Sequence, residues 1–129
     1  MKPFAVLSAL ALLASMTVAQ AHAHLRASNP ASGSEVTAPP SQVVLRFSEA
    51  ARLTAAWIAR NDAARQSLRP LPSTTAVEAI LPMPALVPGR YVVSWRAMGA
   101  DGHIVPGQIE FTVRAPGAPP GVGGGPSPR

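Results

Sequence analysis

The feature that most constrains the fold is an alternation of apolar and polar residues with a period of two. Three windows show it clearly, at 42–48, 90–98 and 108–114. Their apolar members on one side are Val43, Leu45 and Phe47, then Tyr91, Val93 and Trp95, then Ile109, Phe111 and Val113. Such a period predicts β-strands with one buried face, because successive side chains of a strand point to opposite sides.

Further strands are predicted between and around these windows, and turn residues separate them. The weaker candidates are 24–28, 53–60, 76–81 and a short edge strand at 65–71. Clusters of Pro, Gly, Asn, Asp and Ser lie at 28–34, 38–41, 61–62, 70–73 and 88–89. No useful helical period follows residue 21. Short strands with regular turn signals predict an all-β sandwich or barrel of about seven strands.

The two ends of the chain differ from this pattern. Lys2 precedes an apolar run at 4–18, which ends in the small-residue motif Ala19-Gln20-Ala21. This order predicts a secretory signal peptide, and the run is shorter than the ~20 residues of a membrane span. The predicted organisation is a signal peptide at 1–21, a β domain at 22–114 and a disordered, Pro/Gly-rich tail at 115–129. The mature product is expected to be exported and to have no membrane span.

Composition excludes several classes of function. The chain has no cysteine, which excludes disulfides, thiolate metal sites and cysteine nucleophiles. After cleavage, ten arginines face six acidic residues, and the arginines are scattered through the sequence. Nucleic-acid binding usually leaves a basic patch or stripe, so no nucleic-acid partner is expected.

The three histidines suggest a metal site. His22 and His24 stand next to the cleavage motif, and His103 follows Asp101 by two residues in "MGADGH". Residues two apart in an extended segment point the same way, although Asp-x-His alone also fits a simple turn. Cleavage after Ala21 would give His22 a free α-amine beside its ring. Nitrogen and oxygen ligands of this kind suit Cu²⁺.

Two other arrangements use the same residues. A free terminus reading His22-Ala23-His24 could hold Cu²⁺ or Ni²⁺ through its amine, two backbone amides and the His24 ring, without a folded partner. Cleavage after Ala23 is also compatible with the small-residue rule, since Ala21-His22-Ala23 has the same form. The role of His24 therefore stays open among a ligand, a neighbour of the metal and a surface residue.

Several segments resemble the CopC family of periplasmic copper-binding proteins. They are "HAHL" at 22–25, "NPASGSEVTAPPSQVVLRFSEA" at 29–50, "PGRYVVSWRAMGADGH" at 88–103 and "GQIEFTV" at 107–113. The resemblance implies a Greek-key β-barrel or sandwich, cupredoxin-like or immunoglobulin-like in outline. It also implies a Cu²⁺ site made by His22 with its amine, Asp101 and His103. Leu25 stands three residues after His22, as in the family, which favours His22 over His24 as the terminal residue. Glu49 of "FSEA" is expected to have a structural or supporting role.

The function implied by the resemblance is copper resistance or homeostasis in the periplasm. A monomeric protein would sequester Cu²⁺ or pass it to a separate membrane transporter of the CopD type. Some members also hold Cu⁺ in a methionine-rich loop, but the mature chain has only Met83 and Met98, so a Cu²⁺ site alone is expected. The alternatives are a histidine-brace copper enzyme and a metal-free interaction module. Asp101 disfavours the enzyme, because it would occupy a position that such enzymes leave open.

Overall fold

The computed structural model describes residues 22–117, and these residues form seven strands. The strands are β1 (Leu25–Asn29), β2 (Ser34–Val36), β3 (Gln42–Arg60), β4 (Gln66–Ser67), β5 (Ala76–Pro82), β6 (Gly89–Gly99) and β7 (Ile104–Val113). The prediction of an all-β domain of about seven strands is confirmed. Within 22–117 there is no helix long and apolar enough to cross a membrane.

The strands form one curled sheet with β3 near its centre. The main path runs β1-β3-β6-β7-β2, and both β4 and β5 also pair with β3. All of these pairs are antiparallel except β2 with β7, which is parallel. Strand β3 therefore connects the amino-terminal strand β1 to the long β6–β7 hairpin.

Strand β3 pairs with four other strands because it is long and its pairing is irregular in the middle. Its first part, around 42–47, pairs with β1 on one edge and β5 on the other. Its second part, 51–60, pairs with β6 and β4. Register shifts interrupt the pairing between Arg46 and Ala51 and between Leu53 and Ala55. Such irregularities bend a strand and increase its local twist, and here they fold the sheet around one core.

The core is made by the alternating apolar residues identified in the sequence. Leu45, Val43 and Val93 are fully buried, and Trp95 is 3% exposed. Phe47 meets Trp95 edge to face with ring centroids 6.4 Å apart, and Tyr91 stacks on Phe111 at 5.7 Å. The aromatic side chains of β3, β6 and β7 thus pack together, which joins the strands that lead to the candidate site.

The structure differs from the predicted strands in several places. The windows 42–48 and 53–60 were expected to be two strands, but both belong to β3. The expected edge strand at 65–71 is reduced to β4, and Leu68 beside it is buried. The sequence did not predict β2, because its three residues are held by parallel pairing to distant β7. The predicted signal peptide at 1–21 and the tail from 118 onward lie outside the described residues.

Candidate metal centre

The loop between β6 and β7 carries Asp101 and His103. The turn is closed by two backbone hydrogen bonds, from the Gly102 N–H to the Gly99 carbonyl and from the Gly99 N–H to the His103 carbonyl, each 3.0 Å. Gly102 has a φ of +82°, a left-handed conformation that glycine adopts without the steric cost of a Cβ. The loop places both polar side chains at the end of a hairpin anchored by Trp95 and Phe111 in the core.

Asp101 and His103 are joined by two hydrogen bonds. The backbone N–H of His103 donates to Asp101 Oδ1 at 3.0 Å, and His103 Nδ1 lies 2.8 Å from Asp101 Oδ2. The side-chain bond to His103, and secondarily the backbone bond, lower the pKa of the Asp101 carboxyl. The carboxylate form is therefore favoured, and this is the form that binds a metal ion. The turn that the sequence offered as an alternative to a ligand pair exists, and it brings the two side chains together.

The segment 22–24 lies beside this loop because it is hydrogen-bonded to Ser48 of β3. The Ser48 N–H donates to the His24 carbonyl at 2.7 Å. The Ser48 hydroxyl accepts the His24 N–H at 3.0 Å and donates to the His22 carbonyl at 3.2 Å. Ala23 between them is 2% exposed and belongs to the hydrophobic core. The backbone around His22 is therefore held by the Ser48 bonds to His22 and His24 and by the burial of Ala23 between them.

The middle of β3 is the place where the two ligand-bearing segments meet. Ser48 binds the amino-terminal segment, and three residues later Ala51 pairs with Gly99, at the start of the loop that carries Asp101. Because successive residues of a strand advance by only ~3.3 Å, this register brings residues from opposite ends of the domain together. Ser48 was not predicted from the sequence, since a single serine in a strand has no recognisable pattern.

The three predicted ligands lie close to one another. One ligand atom from each of His22, Asp101 and His103 can be chosen so that all lie within 4.8 Å of one another. His22 Nδ1 is 3.9 Å from Asp101 Oδ2, too far for a hydrogen bond. This nitrogen is buried and has no hydrogen-bond partner among residues 22–117. A buried polar atom without a partner is unfavourable, and a bound metal ion would satisfy it.

Two other residues considered in the sequence lie outside this group. The His24 ring stands edge to face with His22 at a centroid distance of 6.2 Å, and His24 is exposed. Glu49 is also exposed. Neither belongs to the potential metal-binding group found among the described residues. Two imidazoles and one carboxylate remain, a set that suits first-row transition metals such as copper, nickel and zinc.

Comparisons with known proteins give one family. The model of the CopC domain matches residues 25–114, which contain Asp101 and His103. Protein YobA of Escherichia coli K12 is 32% identical over 114 residues, with 82% of this chain and 92% of that protein covered. Copper resistance protein C of Pseudomonas syringae pv. tomato is 33% identical over 121 residues, with 86% and 94% covered.

Solved structures agree with this match and with the predicted barrel or sandwich. The crystal structure of CopC from Methylosinus trichosporium OB3b aligns with a TM-score of 0.62 at 32% identity, covering 73% of this chain and 95% of that one. That of PcoC, a methionine-rich copper resistance protein from Escherichia coli, aligns with a TM-score of 0.58 at 30% identity, covering 73% and 100%. The chain belongs to the CopC family.

Proposed function

We propose that this protein binds copper in copper resistance, holding Cu²⁺ through His22, Asp101 and His103. The observation that carries the proposal is the meeting of these three side chains within 4.8 Å, with the buried His22 Nδ1 lacking a partner. Membership of the CopC family supports copper as the metal, because relatives at 32–33% identity are named copper resistance protein C. The family consists of copper-binding resistance proteins, and we assign no enzymatic activity to this one.

Cleavage after Ala21 would complete the ligand set. The new α-amine and Nδ1 of His22 would close a six-membered chelate ring with one metal ion, and Nδ1 is the nitrogen that has no partner. Copper(II) is the strongest binder of such nitrogen and oxygen sites among the common divalent metals. The burial of Ala23 supports cleavage at this point. Cleavage after Ala23 would remove a core side chain together with His22.

The donor set favours Cu²⁺ over Cu⁺. Cu⁺ prefers soft thioether and thiolate ligands, and the chain has no cysteine. Met83 packs against the hydrophobic core, and Met98 is the other methionine among the described residues. PcoC is described as a methionine-rich copper resistance protein, whereas residues 22–117 of this chain contain only these two methionines. The proposed cargo is therefore copper in one oxidation state.

The proposed place of action is the periplasm, where an exported protein of this kind would sequester Cu²⁺ or pass it to a membrane transporter of the CopD type. The sequence supports export through the signal-peptide pattern at 1–21. The exposure of His103, whose side chain is 70% accessible, supports exchange of the metal with another molecule. A monomer is sufficient for this role, because all three ligands come from one chain.

An electron paramagnetic resonance titration of Cu²⁺ into the processed protein tests the site. The matched variants are His103→Ala and a protein with one extra residue before His22. If both changes alter the wild-type spectrum and weaken binding, the terminus and the Asp101–His103 loop share the metal. If only the extra residue matters, the metal sits on the tripeptide 22–24 and the proposed site is wrong. If the wild type retains no copper after dialysis, the proposed function is wrong.

A further inference from the structure

We propose that the Ser48 hydroxyl is a positioning group that fixes the amino-terminal histidine for metal binding. The inference rests on the proposed function, since it concerns how His22 is presented to Cu²⁺. Ser48 itself does not contact Asp101 or His103 in any hydrogen bond or ion pair of the described structure. Its role would be to hold the backbone that carries His22.

The hydroxyl makes two bonds to two different residues of the terminal segment. It accepts the His24 N–H at 3.0 Å and donates to the His22 carbonyl at 3.2 Å. A serine hydroxyl can do both at once, because it has one donor proton and two acceptor lone pairs. One side chain thus fixes the peptide groups on both sides of Ala23.

These bonds act where the regular sheet ends. The β1–β3 pairing begins at Leu25 opposite Phe47, and a register shift follows immediately. Before Leu25, the backbone pairing to β3 consists of the Ser48 N–H bond to the His24 carbonyl, and His22 lies two residues further toward the amino terminus. Chain termini are poorly ordered unless they are tied down. After cleavage His22 would be the terminal residue, and the Ser48 hydroxyl is the group that bonds to its carbonyl.

The burial of Ala23 explains why the Ser48 bonds also control the direction of the His22 ring. The Ala23 side chain is 2% exposed and points into the core. Its two neighbours are less buried, since His22 is half-buried and His24 is exposed, so the burial of Ala23 directs the histidine side chains away from the core. The hydroxyl then fixes the position of the His22 backbone along β3. The burial of Ala23 fixes the direction in which the His22 side chain points. Together they bring Nδ1 to 3.9 Å from Asp101 Oδ2.

The substitution Ser48→Ala isolates the hydroxyl, because it keeps the backbone N–H that pairs with His24. Ser48→Thr restores a hydroxyl and has a side chain that suits strands. Ser28→Ala is the matched control, since the Ser28 hydroxyl also donates a partly buried bond to a backbone carbonyl, that of Pro30 at 2.9 Å. Neither Ser28 nor Pro30 belongs to the proposed site.

The first measurement is Cu²⁺ affinity of the processed proteins, by competition with a chelator. Loss of groups that orient metal ligands usually costs ~10–100-fold in affinity, and we expect this range for Ser48→Ala together with an altered paramagnetic resonance spectrum. Ser48→Thr should recover most of the affinity and the spectrum. Ser28→Ala should match the wild type.

The second measurement needs no metal. Amide hydrogen exchange of the copper-free protein should show a faster-exchanging His24 N–H in Ser48→Ala, because its acceptor is the missing hydroxyl. Exchange at His24 should be unchanged in Ser28→Ala. This readout would establish or refute the attachment of the segment even if the protein bound no copper.

The outcomes separate the two proposals. Wild-type protein that fails to bind Cu²⁺ contradicts the proposed function, whatever the exchange data show. Wild-type binding that survives unchanged in Ser48→Ala overturns the positioning role alone. An equal loss in Ser28→Ala would also overturn it, because the effect would then be one of general stability.

Discussion

The imidazole rings of His22 and His103 stand nearly perpendicular, with their centroids 5.5 Å apart and an interplanar angle of 81°. They come from the two ends of the domain, and strand β3 brings them together. The amino-terminal segment is bound at Ser48, and the β6–β7 hairpin is paired from Ala51 onward. The candidate site therefore depends on the continuity of one strand through its irregular middle.

Replacing His103 by Ala should strongly weaken Cu²⁺ binding. The substitution removes a proposed nitrogen ligand and also the partner that orients Asp101 through the 2.8 Å contact. We expect a loss of at least about 100-fold, the upper end of what orienting groups alone contribute. Competition with a chelator of known affinity measures it. Unchanged affinity in a folded variant would exclude His103 from the site.

Replacing His24 by Ala should have a smaller effect. Its ring lies 6.2 Å from that of His22 and outside the potential metal-binding group. Its backbone bonds to Ser48 do not need the imidazole. We expect a loss below about tenfold, the lower end of the range for outer groups. A loss equal to that of His103→Ala, measured by the same competition, would make His24 a ligand.

Replacing Asp101 by Asn should change how stability depends on pH in the copper-free protein. The bonds from His103 lower the pKa of Asp101 in the folded state, so the charged form contributes stability above the unfolded pKa. That contribution is lost as the pH falls through the folded pKa. The difference in free energy of unfolding between wild type and Asp101→Asn should thus be largest near neutral pH and shrink in acid.

Urea unfolding at about pH 6 and about pH 2.5, on either side of the usual carboxyl range, measures this difference. His103→Ala supplies the matched background, because it removes the side-chain bond that is the main cause of the lowered pKa. Introducing Asp101→Asn there should give a smaller dependence on pH. An equal dependence in both backgrounds would show that another group stabilises the carboxylate.

Replacing Gly107 by Ala should destabilise the fold. Gly107 pairs with Trp95 across β6 and β7, and a Cβ at this position would lie 2.6 Å from Cε2 and Cζ2 of the indole. Trp95 is 3% exposed and cannot easily move. Overpacking of this kind costs about 1–3 kcal/mol. Urea unfolding should show a lower midpoint for the variant.

The cause of this loss can be tested with Trp95→Phe. The smaller ring leaves space beside residue 107, so Gly107→Ala should cost less in that background than in the wild type. The coupling energy of the double-mutant cycle measures the contact. Additive effects would show that the glycine is required for a reason other than the indole.

The sequence by itself determined the strands with a clear period of two, because burial of one face leaves a local trace at every second residue. Val43, Leu45 and Phe47 are buried as the alternation predicted. The spacing of two residues between Asp101 and His103 likewise predicted that their side chains share a direction, and the two side chains are in contact. The small-residue motif directly before His22 is likewise a local pattern, and it predicts an amino terminus at His22, with cleavage after Ala23 left open as the alternative.

Only the tertiary structure decided the features that depend on distant partners. Strand β2 exists because β7 pairs with it, and β3 continues through 48–51 because different neighbours bind its two halves. The same non-local register makes Ser48 an attachment point for His22. Local periodicity contains no information about which strands meet, whereas the meeting of β1, β3 and β6 brings the three candidate ligands to one place.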